Sequence, residues 1–358
     1  MQAFTFEQLP MRVVFAAGAA ASIGDEVRRC QATRAMLIHD AIAKATADDV
    51  AEQLGSLLAV RWDEVSQHVP VPLAERARAT ATAANVDLIV CIGGGSSTGL
   101  AKAIALTHRV PIVAVPTTYA GSEQTTIYGL TDTAHKQTGK DPAVLPRVVV
   151  YDPELTLGLP PHVTGPSAFN ALAHSVEGLY ATGCNPITSA LALEAVRAIA
   201  RSLPQVMRSP RDVDARGDLM YGAALSGMAL GATSAGLHHK ICHVLGGMFN
   251  LVHADAHSVV LPHVVAFNAP ALPAEMERLA EALGSPGGNP ASLLWDLAVA
   301  SNVPTKLADL VVSEGQLQRD DLAAVAEQVA KEVKDNPRPV AVSDLLELLQ
   351  HAFEGTRP

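Results

Sequence analysis

One short run constrains this chain more than any other. The apolar segment Leu88-Ile89-Val90-Cys91-Ile92 leads directly into Gly93-Gly94-Gly95-Ser96-Ser97-Thr98-Gly99 and then into Leu100-Ala101-Lys102-Ala103-Ile104-Ala105-Leu106. An unbroken β-branched run predicts a strand buried on both faces, and the Ala/Leu segment beyond the turn predicts a helix. Strand, glycine turn and helix in that order create an anion site: the first free N–H groups of the helix point outward, and glycine lets a phosphate come close. A pyrophosphate suits this geometry. The spacing departs from the dinucleotide fingerprint, because the sixth position from Gly93 is Thr98, and no Gly-Lys-Ser/Thr ending is present. A glycine turn that merely packs strand against helix is the alternative.

The surroundings extend the pattern. Short strand-like runs recur at Arg12–Phe15, Ala35–Ile38, Ile112–Val115 and Val148–Tyr151, separated by amphipathic stretches such as Asp48–Leu58 and Leu73–Ala84. That alternation predicts a doubly wound parallel α/β domain. After Asp152-Pro153 the pattern changes, and from about Ser167 onward Ala/Leu-rich segments at helical period are broken by Pro, Gly and Asn. The expected layout is an α/β domain over 1–158 and an all-helical domain over 159–358, with the active site in the cleft between them. The total of 358 residues fits two domains of roughly 100–200 each.

Composition excludes several classes of function. A net charge of −10, with no Lys/Arg run, argues against nucleic acid and anionic membranes as partners. No apolar stretch reaches the roughly 18 residues of a membrane span, and the N-terminal residues make a poor signal peptide, so a cytoplasmic protein is expected. Cys30, Cys91, Cys184 and Cys242 lack paired spacing and read as reduced, mostly buried thiols.

Two further features belong to the carboxyl edge of the predicted sheet. Asp40 follows the strand ending at His39 and is placed to accept from an adenosine ribose hydroxyl, although a turn or cap role explains it equally well. After Ile112–Val115 comes Pro116-Thr117-Thr118-Tyr119-Ala120-Gly121-Ser122-Glu123, whose hydroxyls and N–H groups could hold the nicotinamide ribose and carboxamide.

Histidines dominate the second half: seven of the 13 fall between His174 and His263. Asn170 and His174 are four apart on a predicted helix, as are His239 and His243, so each pair shares a face. His253, His257 and His263 follow. A lone helical histidine is usually a packed residue, but two such pairs with a loop histidine point to a transition-metal site or to acid–base chemistry.

The glycine-serine loop with Ala101-Lys102-Ala103, Pro116-Thr117-Thr118 with Gly121-Ser122-Glu123, Leu261-Pro262-His263 and Asn336-Pro337-Arg338-Pro339 together resemble the iron-containing (group III) alcohol dehydrogenases and the wider dehydroquinate-synthase-like superfamily, over nearly the whole chain. The resemblance implies a nicotinamide-dependent oxidoreductase. It assigns cofactor contacts to Asp40, Gly93, Gly94, Gly95, Ser96, Ser97, Thr117, Thr118, Tyr119, Ser122 and Lys136. In metal-dependent members one Asp and three His hold Fe²⁺ or Zn²⁺; the matching positions here are Asn170, His174, His239 and His253. Gly99 likewise stands where the family has an Asp.

A neutral amide is a poorer ligand for a divalent cation than a carboxylate, so no bound metal is expected. With His238-His239-Lys240-Ile241-Cys242-His243, these departures look like the branch formed by the maleylacetate reductases, which reduce a C=C bond in aromatic-ring catabolism. A small dicarboxylate substrate, NADH (or NADPH) and a homodimer are then implied. Catalysis is expected from His243 and His253 as proton donors and from His174 and His239 as N–H donors to a developing oxyanion. Asn170, Lys140 and Lys240 are expected to meet the substrate. The alternatives are a metal-dependent alcohol dehydrogenase, a sugar-phosphate lyase, and a nucleotide-binding protein without activity.

Overall fold

The computed structural model describes residues 3–132, 135–312 and 315–358; the side chains of 135, 136, 311, 312, 315 and 316 are outside that description. The chain forms two compact units: Gln8–Leu159 with Arg211–Met220, and Met1–Glu7 with Pro160–Pro210 and Tyr221–Pro358.

The first unit contains strands β1 (Arg12–Phe15), β2 (Ala35–His39), β3 (Leu58–Trp62), β4 (Leu88–Gly93), β5 (Ile112–Pro116), β6 (Ile127–Asp132), β7 (His135–Lys140) and β8 (Val148–Tyr151). Helices α1 (Ile23–Arg29), α2 (Lys44–Leu54), α3 (Val71–Ala83) and α4 (Gly95–His108) lie between them. Six strands make one sheet in the order β1-β8-β5-β4-β2-β3, with every pair parallel. β2, β4, β5 and β8 are buried along their whole length, as their unbroken apolar sequences require. From β2 the chain first steps out to β3 and then returns to β4 on the other side. That reversal opens a crevice at the carboxyl ends of β2 and β4, where sheets of this kind take ligands.

Two elements differ from the sequence expectation. The amphipathic stretch starting near Asp48 stops at Leu54, because Gly55 takes φ 52°, and the edge strand β3 begins three residues later. The segment after Thr126 folds into the antiparallel hairpin β6–β7.

The second unit carries α5 (Pro161–Gly178), α6 (Pro186–Arg208), the later part of α7 (Val213–Ala232), α8 (Leu237–Phe249), α9 (His253–Asn268), α10 (Pro273–Ala282), α11 (Pro290–Ala300), α12 (Asp321–Glu332) and α13 (Val342–Glu354). It is helical as expected, apart from a ribbon of two two-residue strands at 311–312 and 315–316. α5, α6, α10 and α11 all open on proline in the first turn, where its missing N–H costs nothing. α5 is buried from Thr164 to Gly178, so any polar side chain on it faces other protein. Leu237, Ile241 and Leu245 of α8 pack with Val260 and Val264 of α9 and with Leu322, Val325, Leu345 and Leu349 of α12 and α13.

The Asn-Pro-Arg run clamps the end of α9. Asn336 exchanges amide hydrogen bonds with Asn268 at 3.0 and 2.8 Å, and Arg338 donates to the Phe267 carbonyl while its guanidinium lies 4.0 Å from that ring's centre.

Candidate active site

At the carboxyl edge of the sheet, Gly94 caps α4 and the helix begins at Gly95. Gly93 adopts φ +143°, and a Cβ there would lie 2.7 Å from Asp40 Oδ2 and 2.3 Å from Ser97 Oγ. A Cβ on Gly94 would lie 3.0 Å from the Thr118 methyl group. The Thr117 N–H donates to the Gly93 carbonyl at 3.0 Å. Asp40, the glycine turn and the threonine loop therefore converge at the β2/β4 reversal. Asp40 has a turn role too, since its Oδ1 accepts from the Ala43 N–H at 2.9 Å. The buried hydroxyls Ser97 Oγ and Ser122 Oγ find no partner among the described residues, which leaves them for a ligand or water.

Not every expected contact faces this edge. Tyr119 is buried and its hydroxyl accepts from Arg216 at 3.1 Å, so it braces the loop from within. The Lys136 side chain lies outside the described residues. Lys140 is exposed at the end of β7. At Gly99, a Cβ would fall 2.8 Å from Val69 Cγ2; the space of a side chain is already filled.

One supporting residue carried no role in the sequence reading. Lys102 is buried, and its Nζ donates to the carbonyls of Ser122, Thr125 and Ile127, each at 2.7 Å. Burial pulls its pKa down to about 7, with the nearby Glu123 carboxyl acting against that shift. Three acceptors match the three N–H bonds of the ammonium form and tie the hydroxyl loop to α4.

The helical unit brings six imidazoles together from three helices. α5 supplies His174, α8 supplies His238, His239 and His243, and α9 supplies His253 and His257. α8 ends because Asn250 turns into the left-handed region at φ 52°, and three residues later α9 starts on His253. His174 stacks on His239 at 5.1 Å and His243 on His253 at 5.5 Å, while His257 sits edge-on to His239 and His253 at 4.9 and 4.3 Å.

Hydrogen bonds link part of the set: His238 Nε2 to His257 Nδ1 at 2.7 Å, and His257 Nε2 to His253 Nε2 at 2.9 Å. Burial, reinforced by neighbouring imidazoles, holds His174 and His257 well below the ordinary histidine pKa. Burial likewise drives His238 down to about 3. These three rings are neutral near pH 7 and offer lone pairs.

Among the described residues, His174 Nδ1, His238 Nδ1, His239 Nε2 and Asn170 Oδ1 are buried with no hydrogen-bond partner. The cause at His239 is explicit. Its Nδ1 meets Glu177 Oε2 at 2.5 Å, and an ionised carboxylate only accepts, so Nδ1 carries the hydrogen. Burial works against the charge of Glu177, but His239, His238 and the Gly236 N–H hold its pKa below the usual value. With its hydrogen on Nδ1, the uncharged ring would offer a lone pair at Nε2, where the sequence reading expected an N–H donor. His238, Cys242 and His257, all buried, also place one ligand atom each within 4.8 Å of one another.

The sequence reading gave no role to His257, Cys242 or Glu177. Three spacings signal them: His253 and His257 are four apart on α9, His238 and Cys242 are four apart on α8, and Asn170, His174 and Glu177 fall at i, i+4 and i+7 on α5. Lys240, expected to meet substrate, pairs with Glu332 at 3.4 Å on a partly exposed surface. Of the four thiols only Cys91 and Cys242 are buried; Cys184 is exposed.

Two family models match the chain: iron-containing alcohol dehydrogenase over residues 10–153, and the C-terminal part of the Fe-containing alcohol dehydrogenase family over residues 164–353. The chain is 46% identical to a maleylacetate reductase of Burkholderia cepacia, with all of both chains covered. The crystal structure of maleylacetate reductase from Agrobacterium tumefaciens superposes with a TM-score of 0.95 at 42% identity over the full length of both chains. An iron-containing alcohol dehydrogenase from Corynebacterium glutamicum gives 0.94 at 41% identity, covering 99% of this chain and 98% of that one.

These matches correct the expectation that no metal is bound. The matching family is iron-containing, and losing one carboxylate at Asn170 leaves a buried, imidazole-rich set whose unpartnered lone pairs suit a borderline transition metal. With a glycine-turn edge suited to a dinucleotide on the sheet unit, the chain has the parts of an oxidoreductase. It belongs to the iron-containing alcohol dehydrogenase family, in which its full-length relative from Burkholderia cepacia is named a maleylacetate reductase.

Proposed function

We propose that this protein uses NADH to reduce the C=C bond of maleylacetate, and of substituted maleylacetates, giving 3-oxoadipate in the breakdown of aromatic and chloroaromatic compounds. One observation carries the reading: a chain matching maleylacetate reductases end to end gathers six imidazoles, of which only His243 and His253 keep partial exposure. Asp40 favours NADH, because its carboxylate beside Gly93 repels a 2′-phosphate.

Maleylacetate is a dianion with an alkene conjugated to a ketone. Hydride from the nicotinamide adds to the alkene carbon β to the ketone, the electron pair moves to the ketone oxygen, and the α carbon then takes a proton. His243 and His253 are assigned the proton, since their partial exposure lets them recover one from water. Asn170 offers its amide to the substrate. Lys140 and Lys240 meet the carboxylates; the partly exposed pair of Lys240 with Glu332 is weak enough to yield to a dianion. His174 and His239, with Asn170 and the adjoining His257, would hold the divalent ion. Once bound, that ion supplies a Lewis acid for the ketone oxygen. A cytoplasmic homodimer completes the reading, on the general prevalence of such assemblies.

The test is NADH oxidation followed with maleylacetate, before and after exhaustive chelation. One NADH should be consumed per maleylacetate, with turnover reduced by the chelator and restored by Fe²⁺ or Zn²⁺. Faster oxidation of simple alcohols than reduction of maleylacetate would overturn the assignment in favour of an alcohol dehydrogenase.

A further inference from the structure

Among the described residues, four carboxylates are buried (Glu26, Glu123, Asp152 and Glu177), and only Glu177 belongs to the helical unit. It projects from the same face of α5 as Asn170 and His174 and reaches the start of α8. There Oε2 accepts from the Gly236 N–H at 2.8 Å and from His239 Nδ1, and Oε1 accepts from the His238 N–H at 2.7 Å. The fit is tight, since a Cβ on Gly236 would lie 2.7 Å from Glu177 Oε1. One carboxylate thus closes the N-terminus of α8, where negative charge is favoured, and fixes the ring carried by that helix's first turn.

We infer that Glu177 is the positioning residue that locks His239 in its Nδ1–H form and turns the Nε2 lone pair toward a divalent cation, supplying through the imidazole the negative charge that Asn170 does not. Three observations meet in this assignment. Among the described residues, His239 Nε2 is buried and unpartnered, Asn170 Oδ1 is neutral and unpartnered, and Glu177 already accepts from two backbone N–H groups at the head of α8. A carboxylate behind a ligating histidine sets the tautomer and raises the basicity of the ligand, and such partners are worth about 10–100-fold in metal affinity or activity. The inference rests on the metal reading proposed above.

Two measurements separate the two. In metal-free wild-type protein labelled with ¹⁵N-histidine, the His239 ring should carry its hydrogen on Nδ1 and leave Nε2 bare; hydrogen on Nε2 overturns the role of Glu177 whether or not metal binds. In chelator competition with Zn²⁺, Glu177→Gln should bind about 10–100-fold more weakly than wild type, with Glu177→Asp no better than partly restored and the NADH dissociation constant unchanged. Equal Zn²⁺ affinity in wild type and Glu177→Gln overturns the inference. Wild-type protein that takes up neither Zn²⁺ nor Fe²⁺ overturns the metal reading, while the ring measurement still decides the tautomer. Should Glu177→Gln fail to fold, the wild-type ring measurement alone decides the role of Glu177.

Discussion

The glycine-loop edge and the histidine cluster are both polar sites on apolar scaffolds, yet they are built in opposite ways. At the loop, recognition comes from main-chain N–H groups and short hydroxyls, and the buried cation Lys102 has three carbonyls for three hydrogens. In the cluster, recognition comes entirely from side chains, and four buried nitrogen or oxygen atoms have no partner among the described residues. Among the described residues, the first leaves two short hydroxyls, Ser97 Oγ and Ser122 Oγ, for a ligand; the second leaves an amide oxygen and three imidazole nitrogens. An unmet buried polar group costs about 1–3 kcal/mol, so the cluster stores free energy that binding an ion or substrate releases. The loop shapes a ligand, whereas the cluster does chemistry on one.

The largest effect that sharpens this contrast is expected from the cluster's exposed rim. His243→Ala and His253→Ala should each lower kcat for maleylacetate by at least about 10²-fold, the lower end for acid–base roles, with the NADH dissociation constant little changed. Near-normal turnover in both variants removes them from proton transfer and breaks the division of labour. The reciprocal variant is Gly93→Ala. At φ +143°, with Asp40 and Ser97 oxygens within 2.7 Å of the new Cβ, the turn must shift. NADH binding, read by fluorescence titration, should weaken by about 10-fold or more while Zn²⁺ uptake stays at the wild-type level. Unchanged NADH affinity would mean that the glycine turn only packs strand on helix.

The same contrast explains what the sequence made legible. β2, β4, β5 and β8 announce themselves as unbroken apolar runs because both faces are buried, and the turn after β4 reads as an anion site because glycine and helix start are local signals. β3 escaped because it lies at the sheet edge with a mixed sequence, and β6 because its apolar Ile127, Tyr128 and Leu130 are mixed with Gly129, Thr131 and Asp132 in a mostly half-buried strand. In the cluster, sequence spacing identified His174, His239, His243 and His253. It gave no weight to Glu177 or Cys242, since their roles depend on which helices α5 and α9 pack against. Removing the metal on the strength of Asn170 alone failed for the same reason. One ligand's charge was visible in the sequence, but the orphaned lone pairs around it exist only once three helices meet.

The smallest effect concerns pH, and it also distinguishes the two regions. Burial depresses the folded-state pKa of His238 to about 3, against about 6.5 for the unfolded chain, so between those values the unfolded state binds the extra proton. Stability conferred by the neutral buried ring is therefore complete above about pH 6.5 and declines as pH falls through that value toward 3. His174 and His257 are shifted in the same direction and act with the same sign. In chelated protein, taking pH from 7 to 5 should cost the histidine-bearing unit about 2 kcal/mol through one such ring, read as a lower urea midpoint. His238→Gln, which cannot take up that proton, should flatten the decline. Lys102 predicts a different window for the sheet unit: with its pKa drawn down to about 7, stability there rises with pH above 7 and is insensitive to this lysine below it. A urea midpoint for the helical unit that stays level from pH 7 to 5, and is matched by His238→Gln, would show that the buried rings are not held neutral by the fold.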